Sequence, residues 1–315
     1  MTDYGHDLLF GTFTTPNAAS ADAVVALAQL ADRSGLDLVT FQDHPYQPRF
    51  LDTWTLLSYV ASRTQNVHLT ANVLNLPLRQ PTIIARSAAT LDILSSGRAE
   101  LGLGSGAFWD AIEASGGRRL TPGQAVDALE EAITVIREVW ATDLPGGVHV
   151  RGTWYTVDGA KRGPSPMHDI GVWLGAYKPR MLRLTGRVAD GWLPSLGYLK
   201  GGPTDLADLN ARIDDGAEAA GRDPRSVRRL LNIGGMFGPG ATGLLNGPPS
   251  RWIDDLATMT LTYGMSGFIL ATDDGATIQR YAEEVAPAVR ELVATERARA
   301  VHPPTRRLNR VAGGG

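Results

Sequence analysis

Short apolar runs alternate along the chain with longer stretches in which apolar residues recur every three or four positions. The runs at 8–14, 36–41, 67–74 and 99–103 read as strands, because near-continuous apolar character suits a strand buried on both faces. Between and after them, 20–34, 52–63, 81–94 and 121–140 read as helices. Ser20 suits an N-cap and Gly35 a helix stop, while Pro81 and Pro122 suit a first helical position. The rhythm breaks at 148–157, which predicts a hairpin or excursion, and a Pro/Gly stretch follows at 163–166. It then resumes with strands at 171–174, 191–193, 227–236 and 267–271. The matching helices fall at 179–188, 204–220, 251–263 and 277–296. Strict alternation calls for an α/β fold with a parallel sheet covered by helices. Eight repeats without a linker favour a closed (β/α)8 TIM barrel over a doubly wound sheet. The expected organisation is one domain over 1–296 with an insertion at 148–166. The arginine-rich, glycine-ended stretch 297–315 reads as a disordered tail.

Composition narrows the function classes. At 315 residues and 43% hydrophobic, the chain can bury a large core. The 30 basic and 33 acidic residues leave a net charge of −3, which gives no reason to expect nucleic acid as a partner. No apolar run reaches the roughly 20 residues of a membrane span. The first residues carry no signal-peptide core, so a cytoplasmic protein acting on a small molecule is expected. The absence of cysteine removes disulfides, thiolate metal ligands and a cysteine nucleophile.

In a barrel of this kind, chemistry gathers at the C-terminal ends of the strands. The second strand is followed by Asp43 and His44, and the third ends at Asn72, Val73 and Leu74. His44 is the candidate acid/base group, since histidine titrates near neutrality; a loop histidine packed on the proline-rich turn is the plainer alternative. Asp43 reads as a ligand-binding or a turn residue. Gly102, Gly104 and Gly106 follow the fourth strand, but Ala107 and the lack of an immediate helix speak against a dinucleotide fingerprint. These glycines instead let a flat ring or a backbone approach closely. Tyr46, Trp109, Tyr177 and Trp192 could line a pocket or serve as core. The histidines show no metal-ligand spacing, and no metal site is expected. A nucleotide-phosphate loop and a serine-hydrolase elbow are both missing.

The stretch Pro81 to Gly106 (PTIIARSAATLDILSSGRAELGLGSG) closely resembles the signature segment of the bacterial luciferase-like flavin-dependent oxidoreductases. So does Gly175 to Trp192, with its GRVADGW ending, and the likeness covers roughly residues 8 to 290. The family fold is a (β/α)8 barrel with an insertion, and its members use FMN or the deazaflavin coenzyme F420. Asp43-His44 after the second strand resembles the F420-dependent branch, which implies His44 as the catalytic group at the ring. By the same match the segment around Asn72 and Val73 would carry a non-proline cis bond behind the ring. Asp110 would contact the cofactor. Gly175, Ala176, Tyr177 and Lys178 would lie over its phosphate side, followed by Ser195, Leu196 and Gly197. One departure stands out: sugar-phosphate dehydrogenases of the branch carry a glutamate where this chain has Ala107, and Phe108 and Trp109 lean apolar.

The resemblance thus implies an oxidoreductase passing a hydride between F420 and a small organic substrate, and a homodimer. An FMN-dependent monooxygenase using oxygen is the alternative. A flavin-binding protein without turnover is the alternative from another class.

Overall fold

The computed structural model describes residues 2–301. Its main sheet is wholly parallel. The strands are β1 (Leu9–Thr14), β2 (Leu38–Phe41), β3 (His68–Ala71), β4 (Leu74–Asn75) and β5 (Leu101–Gly104). An antiparallel hairpin of β6 (Val148–Arg151) and β7 (Thr156–Ala160) comes next. The barrel continues with β8 (Val172–Leu174), β9 (Gly191–Trp192) and β10 (Arg228–Ile233). A small pair follows, β11 (Met236–Phe237) with β12 (Asn246–Gly247), before β13 (Gly267–Ala271). Strand order around the main sheet is β3-β2-β1-β13-β10-β9-β8-β5-β4. The ring closes where β4 pairs with β5 and Leu69 bridges Ala99. β3 and β4 are successive halves of one barrel strand, parted at a cis peptide bond between Asn72 and Val73. The architecture is therefore the expected (β/α)8 barrel.

The strands form as expected because both of their faces are covered. All four residues of β2 and of β5 are buried. The barrel interior is filled by Leu38, Trp173, Leu193, Leu230 and Ile269. Outside, the helices α1 (Ala21–Arg33), α2 (Thr53–Ala61) and α3 (Pro81–Leu94) lay apolar stripes on the sheet. Asp52 caps α2 by accepting from the Thr55 N–H, whereas Ser20, the cap expected for α1, makes no side-chain capping bond. After a short α4 (Trp109–Ala114), the long α5 (Pro122–Trp140) opens with a Thr121–Gln124 capping box behind Pro122. The remaining helices are α6 (Pro179–Val188), α7 (Asp205–Ala219), α8 (Pro249–Tyr263), α9 (Gly275–Arg280) and α10 (Ala286–Val301).

Four details depart from the sequence expectation. The strand expected at 67–74 is broken in two. The strand expected to run to Met236 ends at Ile233, because a Cβ at Gly235 would lie 2.1 Å from the Leu245 carbonyl oxygen and the chain turns away there. α4 is a single short helix inside what read as a loop. The tail begins later than 297, since α10 continues to Val301 and Arg297 binds the Asp3 carboxylate and the His6 carbonyl. Residues 302–315 lie outside the described residues. The excursion at 148–157 is a hairpin, as expected, and extends to Ala160. No helix among the described residues is long and apolar enough to cross a membrane.

Candidate active site

A cavity of about 640 Å³ opens at the C-terminal ends of the barrel strands. Its floor is polar where the interior below is apolar. Asn72, just beyond β3, and Asn232, in β10, face each other across the barrel. The Asn72 amide nitrogen donates to the Asn232 oxygen at 2.7 Å, and the Asn232 nitrogen returns a bond at 3.1 Å. Asn72 also donates to Thr40 at 3.2 Å, and Asn232 to Ser195 at 3.0 Å. Each amide thus meets donor and acceptor needs that burial would otherwise leave costly. Val73, on the far side of the cis bond, forms the adjoining apolar wall.

One wall carries His44, supplied by the loop after β2. Its Nδ1 lies 2.9 Å from the Tyr46 hydroxyl, and Nε2 has no hydrogen-bond partner among the described residues. Burial pulls the His44 pKa below the ordinary 6.5, against the charge of Asp43, which pulls the other way. Burial and the same carboxylate push Tyr46 up to about 12. Phe108 packs edge-on to the His44 ring at 5.4 Å between centroids, so the proton-bearing side chain sits in an aromatic nest.

Asp43 lines the same cavity with its carboxylate held in an ion pair. Its side chain is 1% exposed, and both oxygens are engaged by Arg79, at 2.5 and 3.1 Å. It also accepts from the Asn75 N–H at 2.7 Å. The pair pins the loop that carries His44 to the segment after β4. Asn75 leaves an orphan: its Oδ1 is buried at the cavity with no partner. An acceptor of this kind suits a donor on a bound ligand.

The opposite wall is the loop Gly175, Ala176, Tyr177 and Lys178 at the start of α6. Tyr177 is fixed by accepting from the Ser195 N–H at 2.7 Å. Burial raises the Tyr177 pKa. No side chain caps α6, so its first N–H groups and the exposed Lys178 together favour an anion there. Lys178 is the only lysine or arginine among the cavity-lining residues.

Of the residues singled out in the sequence, the structure brings His44, Asp43, Asn72, Val73, Gly175, Ala176, Tyr177, Lys178 and Ser195 to one cavity. It does not bring Asp110 there. That carboxylate lies in the first turn of α4, 98% exposed, and pairs with Arg119. Leu196 and Gly197 sit one turn beyond the cavity, where Tyr198 alone of that turn lines it. Tyr46 lines the cavity but Trp109 does not, and Trp192 is core, its indole N–H bonded to the Ala176 carbonyl. Gly102 admits backbone, since a Cβ there would fall 1.9 Å from the Ala71 carbonyl oxygen, and Gly104 admits the Val73 side chain, 2.7 Å from where its Cβ would lie. Asn232 and Asn75 were missed. The signal for Asn232 was present, as the one polar residue in the run Leu230-Leu231-Asn232-Ile233 at a strand's C-terminal end.

The model of the luciferase-like monooxygenase family matches residues 3–236. The chain belongs to this family. Among relatives, an F420-dependent glucose-6-phosphate dehydrogenase from Amycolatopsis mediterranei is 32% identical over 216 residues. That match takes in 67% of this chain and 63% of the relative, so this chain spans less than two thirds of that protein's length. A 5,10-methylenetetrahydromethanopterin reductase from Methanolobus tindarius is 35% identical over 202 residues, 64% of this chain and 57% of the relative. Among solved structures, an F420-dependent secondary alcohol dehydrogenase holding an F420-acetone adduct superposes with a TM-score of 0.78. It is 19% identical and covers 90% of this chain and 99% of its own. At that identity the likeness speaks for the luciferase-like fold alone.

The Asp43–Arg79 pair gives a stability test. Arg79→Ala should leave a buried carboxylate without its cation and lower the unfolding free energy by about 3 kcal/mol in chemical denaturation. Arg79→Lys should restore only part of this, because it cannot engage both oxygens. No loss in Arg79→Ala would mean that Asp43 does not depend on the pair.

Proposed function

We propose that this luciferase-like barrel is an F420-dependent oxidoreductase acting on a small, apolar organic substrate, with His44 as its acid/base group. The observation that carries the reading is a neutral-leaning histidine with a free Nε2 on the wall of a cavity whose floor is two paired amides. The F420-using relatives support the cofactor, and the cavity fits a flat ring with a charged tail. The orphan Asn75 Oδ1 would accept from the ring system or its side chain, Val73 and the amide floor would support one ring face, and Lys178 with the start of α6 would hold the phosphate. F420, when bound, supplies a ring carbon that takes or gives a hydride.

The protein's own part is placement and proton handling. With Nδ1–H donating to Tyr46, the lone pair of His44 is on Nε2, where it can take the proton that leaves a substrate hydroxyl. Tyr46 then goes on accepting the same bond, so the imidazolium needs no reorientation. Asp43 steadies the cation from the next residue without touching the substrate. Phe108, Tyr46 and Tyr198 give the mouth an apolar rim. Ala107 sits where sugar-phosphate dehydrogenases of the branch place a glutamate, and the rim adds no cation besides Lys178. Both features favour an uncharged substrate over a phosphorylated sugar.

Three outcomes follow. Fluorescence or calorimetric titration should show F420 binding tighter than FMN, and tighter FMN binding with oxygen uptake would reverse the assignment. With F420 present, secondary and aromatic alcohols should be turned over faster than glucose 6-phosphate; the opposite order would defeat the apolar-substrate reading. His44→Ala should reduce turnover about 10²–10⁴-fold while leaving cofactor affinity largely intact. Because the His44 pKa is depressed, the base is free at neutral pH, and alcohol oxidation should fall as pH drops below 6.5. That acid limb should vanish in the variant; its persistence would assign the limb to another group.

A further inference from the structure

At the opposite end of the barrel, three residues far apart in the chain converge beneath the seam where the ring closes. His68 begins β3, Glu100 directly precedes β5, and His168 lies in the segment returning from the hairpin to β8. One donor atom of each lies within 4.8 Å of the other two. The Glu100 Oε1 is 3.3 Å from the His68 Nδ1 and 3.5 Å from the His168 Nε2. These separations are long for charge-assisted hydrogen bonds, which run about 2.7–2.9 Å. They match the spacing of about 3.3–3.4 Å between two ligand atoms that each stand about 2.0–2.1 Å from one tetrahedral ion.

The surroundings hold the three donors in place. The other Glu100 oxygen accepts from the Gly171 N–H at 2.7 Å, which leaves Oε1 turned to both imidazoles. His168 binds Asp92 through Nδ1 at 2.8 Å, which frees Nε2. Asp92 is fully buried and also accepts from the backbone of Ala99, Met167 and His168, so it cannot swing away. A carboxylate behind a histidine is the usual second partner of a metal-binding imidazole. The side chains of His68 and His168 are 41% and 30% exposed, so an ion has a path from solvent.

We propose that His68, Glu100 and His168 bind one divalent transition-metal ion of the zinc type, with water as the fourth ligand. Two imidazoles and one carboxylate suit zinc and its neighbours better than calcium or magnesium. The location at the N-terminal ends of the strands makes the role structural. The ion would join β3 to β5 where their direct pairing is the single Leu69–Ala99 bridge, and would tie in the segment entering β8. The absence of histidine pairs at short spacing concealed this cluster, because its ligands come from three separate βα units.

The test uses the full chain, stripped with a chelator and titrated with ZnCl2 in a calorimeter. One ion per chain should bind, the melting temperature should rise with zinc, and CoCl2 should give the intense visible bands of tetrahedral cobalt. His68→Ala and Glu100→Gln should each weaken binding by at least roughly tenfold. Circular dichroism of the metal-free variants should match the wild type. Lack of saturable binding in the wild-type protein, or binding of equal strength in both variants, would overturn the site and leave a plain ion-pair cluster.

Discussion

The two amides of Asn72 and Asn232 meet across the barrel, and the site is built on that meeting. Below them the interior is a packed apolar cluster that includes Leu38, Trp173, Leu230 and Ile269. A single amide at this height would face a low-dielectric interior with its donors and acceptor unmet, at a cost of several kcal/mol. Paired with each other, and with Thr40 and Ser195, both are satisfied. The four partners come from, or just beyond, four different barrel strands, so the pairing also sets how far apart those strands stand. The result is a rigid level at which apolar packing stops and a cavity begins.

Above that level the walls divide the labour by charge. The His44 wall has its carboxylate neutralised by Arg79 beneath the surface, so little net charge reaches the cavity from that side. The opposite wall offers Lys178 and uncapped helical N–H groups. On the proposed function, a ligand with an anionic end and a neutral reactive end would have one favourable orientation in such a field, with the reactive end toward His44.

Much of this was legible in the sequence. Strands such as β1 and β2 were plain because burial on both faces leaves an unbroken apolar run. Helix starts were plain where a proline marked them, as at Pro81 and Pro122. The misreadings share a cause, which is that tertiary placement overrides local pattern. Asp43 and Asp110 look alike in sequence, each a carboxylate near a strand's end. One is buried against an arginine 36 positions away, and the other is in solvent on α4. Asn232 stood out as a lone polar residue in an apolar strand, but its role became plain only with its partner on another strand. The convergence of His68, Glu100 and His168 was likewise invisible, because spacing along the chain is blind to side chains gathered from several strands.

The closure of the ring carries a consequence for how the molecule is made. β1 pairs with β13, register Leu9 opposite Gly267, and Arg297 of the last helix reaches back to Asp3. β1 therefore acquires its second neighbour only when a segment about 250 residues further on has been made. Until then its open edge is a row of unpaired amides, the sort of surface on which nascent chains associate. Contacts of such long sequence separation also form slowly. Until β13 is in place, the sheet has two open margins, and the closed ring is what removes them.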